Sequence, residues 1–468
     1  MRPEIRTPRT RTFARPARHA RAARHARAAL LLLLAAVALL SVAPRAARAR
    51  QQQSLSGFER DRWRTALGVI KDDIRKNYYD PAFRGIDLDS HFKRADEELK
   101  RAQTSGQVMG VIAQALLDFD DSHLFFLPPP RSARFEYGWR MQMVGERCFV
   151  TAVKPGSDAE ARGLRPGDEI NLIDGFRPTR ADHWKMLYAY YSLRPMAGVR
   201  LDVTKPDGKR HQHDVLTKVT QGKPILNLTS GEDINRFLRD GEEDERARRE
   251  GSRTARVGED LLVWKLEQFA LTEAEVDDAM AKARRHRALV LDLRGNGGGA
   301  ERTLLRMLGN VFGRDVKVGD IRRRREEKPL VAKTRGGGDV FEGELVVLVD
   351  SQSGSASELF ARVVQLEKRG TVLGDRTAGA VMRSRFYPHE LGVDTVTPYG
   401  ASVTDADIVM TDGKSLEHTG VMPDHVLLPS AADLAAGRDP VLARAAELLG
   451  AKLDAEKAGA LFPLKWRK

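Results

Sequence analysis

Two short stretches constrain the fold of this chain more than anything else in it. Ala288–Leu293 (ALVLDL) and Leu345–Val349 (LVVLV) are apolar runs of strand length, as expected of strands covered on both faces. Each runs into a turn rich in glycine or serine and then into a helical pattern. The first junction reads Leu291-Asp292-Leu293-Arg294-Gly295-Asn296-Gly297-Gly298-Gly299, ahead of a helix expected over 300–312. The second reads Val349-Asp350-Ser351-Gln352-Ser353-Gly354-Ser355-Ala356-Ser357-Glu358, ahead of a helix expected over 355–368. Strand and helix alternate in this manner from Asp260 onward, which predicts an α/β layer fold.

A helix start exposes backbone N–H groups without internal partners, together with the positive end of the helix dipole. Glycines let backbone approach a reacting carbonyl with no side chain in the way. A serine at the second helix start, beside the glycine loop of the first, is therefore placed to attack a carbonyl. The resulting oxyanion would be held by N–H groups from both junctions, each such donor contributing about 3–4 kcal/mol. Two plainer readings compete. Ser355-Ala356-Ser357-Glu358 fits the S-x-x-E capping box, in which serine and glutamate satisfy each other's backbone donors. Gly295-x-Gly297-x-x-Ala300 fits a dinucleotide fingerprint, although no clear second strand ending in an acid follows about 20 residues later.

The rest of the chain divides by pattern. Residues 1–49 read as a signal peptide: an Arg-rich stretch, the apolar run 28–43 and the A-x-A site Ala47-Arg48-Ala49. These residues carry eleven Arg and one Glu, so they hold +10 of the formal +13 and leave about +3 for the remainder, which argues against a nucleic-acid partner. No later stretch is apolar for long enough to span a bilayer, so no membrane span is expected after signal removal, and the expected location is periplasmic or secreted. Residues 56–130 form an N-terminal helical segment, with Phe58, Trp63, Leu67 and Ile70 at helix spacing, closed by Pro128-Pro129-Pro130. Residues 135–220 turn β-rich, 221–259 form a linker with a charged insertion, 260–430 carry the two junctions, and 431–468 make a helical tail. The single cysteine, Cys148, can form no internal disulfide and is expected to be a buried, inert thiol. With no H-E-x-x-H or Cys/His cluster, neither a metal nor another cofactor is expected.

Val150–Gly175 (VTAVKPGSDAEARGLRPGDEINLIDG) closely resembles the middle of a PDZ domain. VLDLRGNGGG, then SGSASELFA, then LGDRTAGA, then LEHTGVMPD, all behind that PDZ-like segment, follow the order of parts in the serine peptidases that include C-terminal processing (tail-specific) proteases and the tricorn core. The resemblance covers roughly residues 56–430. It implies a crotonase/ClpP-like ββα core within an α/β fold, with a helical N-terminal domain and an inserted PDZ-like domain whose groove takes C-terminal peptides by strand addition. It also implies Ser355 as nucleophile, with Ala356 N–H as one oxyanion donor and Gly298 N–H, or its rival Gly297, as the other. Many relatives pair the serine with a lysine in a loop like Gly374–Ala380, but here that position is Ala380, and Arg383 and Arg385 stay protonated. The tricorn-like branch instead uses a histidine preceded by serine, and a glutamate ahead of G-V-x-P-D. That carries His123 over as general base, with Ser122 and Glu417 orienting and polarising it. His389 and His418 are reserve candidates for the base.

The function implied is an exported serine endopeptidase acting on proteins or peptides through an acyl-enzyme. Two other classes stay open: a non-catalytic peptide- or ligand-binding protein that keeps the fold, and a PDZ-type adaptor on an inert scaffold.

Overall fold

The computed structural model describes residues 55–131, 133–222, 251–392 and 396–466. The signal-peptide reading of 1–49 and most of the charged insertion lie outside them.

The two apolar runs are neighbouring strands of a six-stranded sheet. Its order is His425–Val426, Thr371–Gly374, Glu344–Val349, Ala288–Asp292, Leu261–Leu266 and Ser252–Val257, parallel except for the last strand. Alternate residues explain why these strands are apolar throughout. Leu262, Trp264, Leu289, Leu291, Leu345 and Val347 face one core, which also holds Leu304, Met307, Leu359 and Phe360 from the helices Glu301–Val311 and Ala356–Leu366. Leu261, Val263, Val290, Val346 and Leu348 face a second core closed by Val441, Leu442, Ala445 and Ala446 of the helix Pro440–Leu448. With a period of two, a strand sandwiched between helices must be apolar at both parities.

The first core reaches beyond the helices to a second sheet. There Val316, Ile321, Ala406 and Ile408 come from the strands Val316–Arg322 and Thr397–Met410. The long strand Thr397–Met410 also pairs with Phe125–Leu127 and with Met382–Leu391. Three helices, Gly57–Asn77, Leu88–Arg101 and Ser105–Leu117, pack Trp63, Ile70, Leu99 and Ile112 around Phe126, Tyr399, Ala401 and Val403. The helical segment therefore shares its core with a strand almost 300 residues further on, and this brings its C-terminal end to the serine junction. Capping boxes at Ser56/Glu59 and Thr104/Gln107 fix where its first and third helices begin.

Residues 139–216 form a separate antiparallel five-stranded sheet in sequence order, from Trp139–Val144 at one edge to Arg210–Leu216 at the other. Cys148 is buried in it, and burial pushes its thiol up to about 12, which keeps it protonated. Among the described residues no helix is long and apolar enough to cross a membrane.

Candidate active site

The second junction presents Ser355 in an unusual backbone state. Ser355 is the N-cap of the helix Ala356–Leu366, with φ 52° and ψ −116°, a region that residues with a Cβ rarely occupy. What holds it there is a set of bonds on both sides. The Ser355 N–H donates to the Ala380 carbonyl at 2.9 Å and to Glu358 Oε2 at 3.0 Å. The Ser355 carbonyl accepts from Glu358 and Leu359 N–H. The capping-box reading is thus present in its glutamate half, and it coexists with a hydroxyl lifted off the helix start.

Glu358 does more than cap. It is fully buried and also accepts from Thr377 Oγ1 at 2.5 Å, Gly379 N–H at 2.8 Å and Ala380 N–H at 3.0 Å. One carboxylate therefore ties the nucleophile to the loop 377–380. Burial pushes its pKa up to about 7, while these donors pull it down. Three of its four partners are backbone N–H groups that can only donate, and only Thr377 Oγ1 could accept a proton from Glu358.

The first junction lies directly against the second. A Cβ placed on Gly298, where φ is +100°, would sit 2.6 Å from Ser355 Cβ, 2.9 Å from the Gly354 carbonyl and 3.0 Å from the Ala356 nitrogen. Only glycine fits there. Asn296, also fully buried, staples the two loops: its Nδ2 donates to the Leu266 carbonyl, and its own carbonyl accepts from Gly354 N–H and Ser357 Oγ. Its Oδ1 takes the Gly298 N–H at 2.9 Å, so the first-choice oxyanion donor is engaged within the loop in this state. The exposed Gly297 and the Ala356 N–H at the helix start complete the set of expected donors. Asp292 and Arg294 brace the loop from behind. Arg294 bonds both Asp292 and Asp439, the N-cap of the helix Pro440–Leu448, and together with Lys265 at 3.3 Å it holds the Asp292 carboxyl well below its usual range.

Residues far apart in sequence converge on the other side of Ser355. Glu417 Oε1 accepts the Ser122 N–H at 2.9 Å, and Glu417 Oε2 accepts Ser122 Oγ–H at 2.9 Å and Val381 N–H at 2.9 Å. Ser122 Oγ lies 2.8 Å from His123 Nδ1. The proton inventory fixes the tautomer. A carboxylate only accepts, so the single Ser122 proton points at Glu417, and Ser122 Oγ must accept from His123 Nδ1–H, which leaves Nε2 bare. Burial lowers the His123 pKa, and the Asp121 charge partly restores it. Burial also pushes Glu417 up, against its three donors.

Ser355 and this relay are linked through one dipeptide. Ala380 accepts the Ser355 N–H, and the next residue, Val381, donates to Glu417. No direct hydrogen bond joins the Ser355 hydroxyl to His123 among the described residues. His389 Nε2 is bound to Asp73 Oδ2 at 2.5 Å on the strand Met382–Leu391, and half-exposed His418 sits beside Arg84 and 3.8 Å from Glu417. Among the described residues no group of three or more His, Cys, Asp or Glu is placed to hold a metal.

The antiparallel sheet docks onto the nucleophile loops. Ser351 Oγ donates to the Met143 carbonyl and Gln352 Nε2 to the Met141 carbonyl, while Gln142 Nε2 meets Asp350 at 2.6 Å. Val150, opposite Met141, spends its own N–H and carbonyl on residues 168 and 167, so these carbonyls face outward from the sheet edge. Arg180 and the Gly145 N–H grip Asp375, which burial shifts upward in pKa.

Glu358, Asn296, Arg294 and Asp121 were not among the site residues expected from sequence. For Glu358 the S-x-x-E spacing was the available signal. Asn296 and Arg294 lie within the quoted glycine-loop motif and Asp121 directly precedes Ser122 and His123, but nothing in their spacing marks their partners.

Residues 260–427 match the model for peptidase family S41. The chain is 25% identical over 382 residues to a chloroplastic C-terminal processing peptidase of Tetradesmus obliquus, covering 76% of this chain and 75% of that protein. It is also 25% identical over 415 residues to a putative tricorn protease homolog 2 of Streptomyces coelicolor, covering 82% of this chain but only 32% of the relative. Among solved structures, mature CPAF complexed with lactacystin superposes with a TM-score of 0.58 at 14% identity, over 80% of this chain and 95% of that one, a likeness of fold.

Proposed function

We propose that this chain is a serine-type peptidase of family S41 that cleaves peptide bonds through an acyl-enzyme on Ser355 with His123, not lysine, as general base. The observation that carries this reading is the Glu417–Ser122–His123 relay, which leaves His123 Nε2 as an acceptor and whose Glu417 binds Val381, the neighbour of the Ala380 that accepts the Ser355 N–H. In the reaction, Ser355 Oγ attacks the scissile carbonyl as His123 Nε2 takes its proton. The tetrahedral oxyanion draws on Ala356 N–H and Gly297 N–H, and on Gly298 N–H once Asn296 Oδ1 releases it. His123 then returns the proton to the leaving amine, the C–N bond breaks, and the ester on Ser355 remains. A water, deprotonated by the same nitrogen, hydrolyses it. Ser122 and Glu417 hold the ring in the Nδ1–H tautomer and stabilise the imidazolium, a job the family lysine does not need done.

We assign the core to the crotonase/ClpP-like ββα class and residues 135–220 to a PDZ-like module that recognises peptide C-termini. We place the protein outside the cytoplasm after removal of 1–49. Strand addition along Trp139–Val144 requires Ser351 and Gln352 to release the Met143 and Met141 carbonyls first. The second reading, a binding protein that keeps the fold, draws support from the absence of a direct Ser355–His123 bond. A fluorophosphonate probe and fluorescent casein separate the two. The parent protein labels at Ser355 and cleaves casein, while Ser355→Ala does neither. Equal casein cleavage by parent and variant removes the serine mechanism.

A further inference from the structure

Asp121 is one of the few wholly buried carboxylates in the molecule, and the relay just described does not use it. Its Oδ1 accepts from the His123 backbone N–H at 2.9 Å and from Thr404 Oγ1 at 2.7 Å, and its Oδ2 accepts from Tyr78 OH at 2.9 Å. The three donors come from three different elements. Tyr78 closes the first helix, Thr404 sits mid-strand in Thr397–Met410, and His123 follows the third helix. The nearest cation, Arg84, stands 3.9 Å away, beyond close hydrogen-bond contact. Arg84 in turn bonds the Asp120 carbonyl and His418 Nε2 at 3.1 Å.

We propose that Asp121 is a positioning residue for the His123 base: it locks the backbone from which the ring projects to the helix–strand frame, and it sets an acidic side chain two residues from the imidazole. The proposal rests on His123 acting as base. Its first half is geometric. The ring is held at Nδ1 by Ser122, but Ser122 hangs from Glu417 on another loop, so apart from the Asp121 side chain the turn is held within the helical segment by one backbone bond, Leu124 N–H to the Asp121 carbonyl at 3.3 Å. Its second half is electrostatic. Burial favours neutral imidazole, and a base too weak to hold a proton gains nothing from being unprotonated. Asp121 is the charge that raises His123 against that burial. Tyr79 also faces this cluster, its hydroxyl 3.5 Å from Arg84 and its pKa raised by burial. Glu417 lies across the Ser122 hydroxyl, and Tyr78 is kept neutral by burial and by Asp121 itself. Arg84 offsets part of the Asp121 charge, and the exposed pair His418 and Asp120, 4.0 Å apart, lies beyond it. Lys185, at 3.2 Å, pairs with Asp120.

The test reads the nucleophile directly, with no need of a natural substrate, as the second-order rate of fluorophosphonate labelling of Ser355 against pH. In Asp121→Asn the plateau rate falls about 10- to 100-fold. The acid limb moves to lower pH by about half a unit to one unit, because the lost charge makes His123 harder to protonate. In Asp121→Glu the limb returns toward the parent position while the plateau stays reduced, a split that a purely structural defect does not produce. An unchanged limb and plateau in folded Asp121→Asn overturns the proposal. Should that variant not fold, Thr404→Ala, which removes one of the three donors, is expected to lower the plateau several-fold, and a parent-like rate there overturns it equally. His123→Ala separates the two levels. If it labels at the parent rate, the base assignment falls and this proposal with it; if it does not label while Asp121→Asn labels normally, only the role of Asp121 falls.

Discussion

The two strand-to-helix junctions share one local plan, a buried parallel strand, a tight loop and a helix start, yet they distribute polar chemistry in opposite ways. In the first, every charged side chain is turned away from the cleft: Asp292 and Arg294 bind each other and Asp439, and the loop face is left to glycine. In the second, the loop face carries a serine held at φ 52°, and the buried glutamate behind it fastens that serine to a third loop. One junction supplies space and backbone donors, and the other supplies the reactive group. The division follows from a packing limit. With 2.6 Å between a Gly298 Cβ and Ser355 Cβ, only one of the two loops can carry a side chain at their contact.

Replacing Gly298 with alanine is the most direct way to break that division. The added methyl meets Ser355, Gly354 and Ala356 at or below 3.0 Å, in a backbone conformation that costs an L-residue further strain. The expected outcome is a loss of casein cleavage of about a thousandfold, roughly 4 kcal/mol of transition-state stabilisation. A folded Gly298→Ala protein with near-parent turnover would mean that the loops part more readily than their contact implies. Arg294→Ala attacks the other side of the same junction by leaving Asp292 buried without its main partner. Unfolding in urea should show a loss of about 3–4 kcal/mol, with turnover per folded molecule much less affected. Glu358→Gln sharpens the contrast. The amide presents a donor where four donors already point, so at least one bond is lost and two donors confront each other. A fall of about 2 kcal/mol is expected, together with slower Ser355 labelling, because loop 377–380 loosens. The smallest effect is in the parent protein. Burial places the His123 pKa below the ordinary imidazole value of about 6.5, so the base stays unprotonated into mildly acid solution, and the labelling rate should reach half its plateau below that pH. A half-point above it would remove burial as the dominant influence on His123.

Much of this was readable in the chain. The apolar runs, their punctuation by glycine and serine, and Ser355 at a helix start followed from periodicity and turn chemistry alone. Ser122, His123 and Glu417 came from resemblance, and the structure brings Ser122 within 2.9 Å of both His123 and Glu417, the latter 295 positions away in sequence. What stayed hidden is whatever depends on a partner remote in sequence with no motif of its own. Thr377, Gly379 and Ala380 turn Glu358 from a cap into an anchor between two loops, and no spacing rule points to them. Asn296 stands between glycines with no pattern of its own, but its side chain takes the Gly298 N–H that the resemblance assigns to the oxyanion. The helical stretch 56–130 read as a self-contained unit because its own periodicity suffices for helices. That it completes its core with Tyr399, Ala401 and Val403 is invisible to any local window.

The contact of Ser351 and Gln352 with the Met143 and Met141 carbonyls has a consequence for solubility as well as for the site. An edge strand with vacant acceptors is a template onto which a foreign chain can zip, and strand Trp139–Val144 is such an edge. Two side chains from a neighbouring loop sit where the rungs of that ladder would form, so the same residues that lead into the nucleophile also shield the β-rich module from sticking to copies of itself.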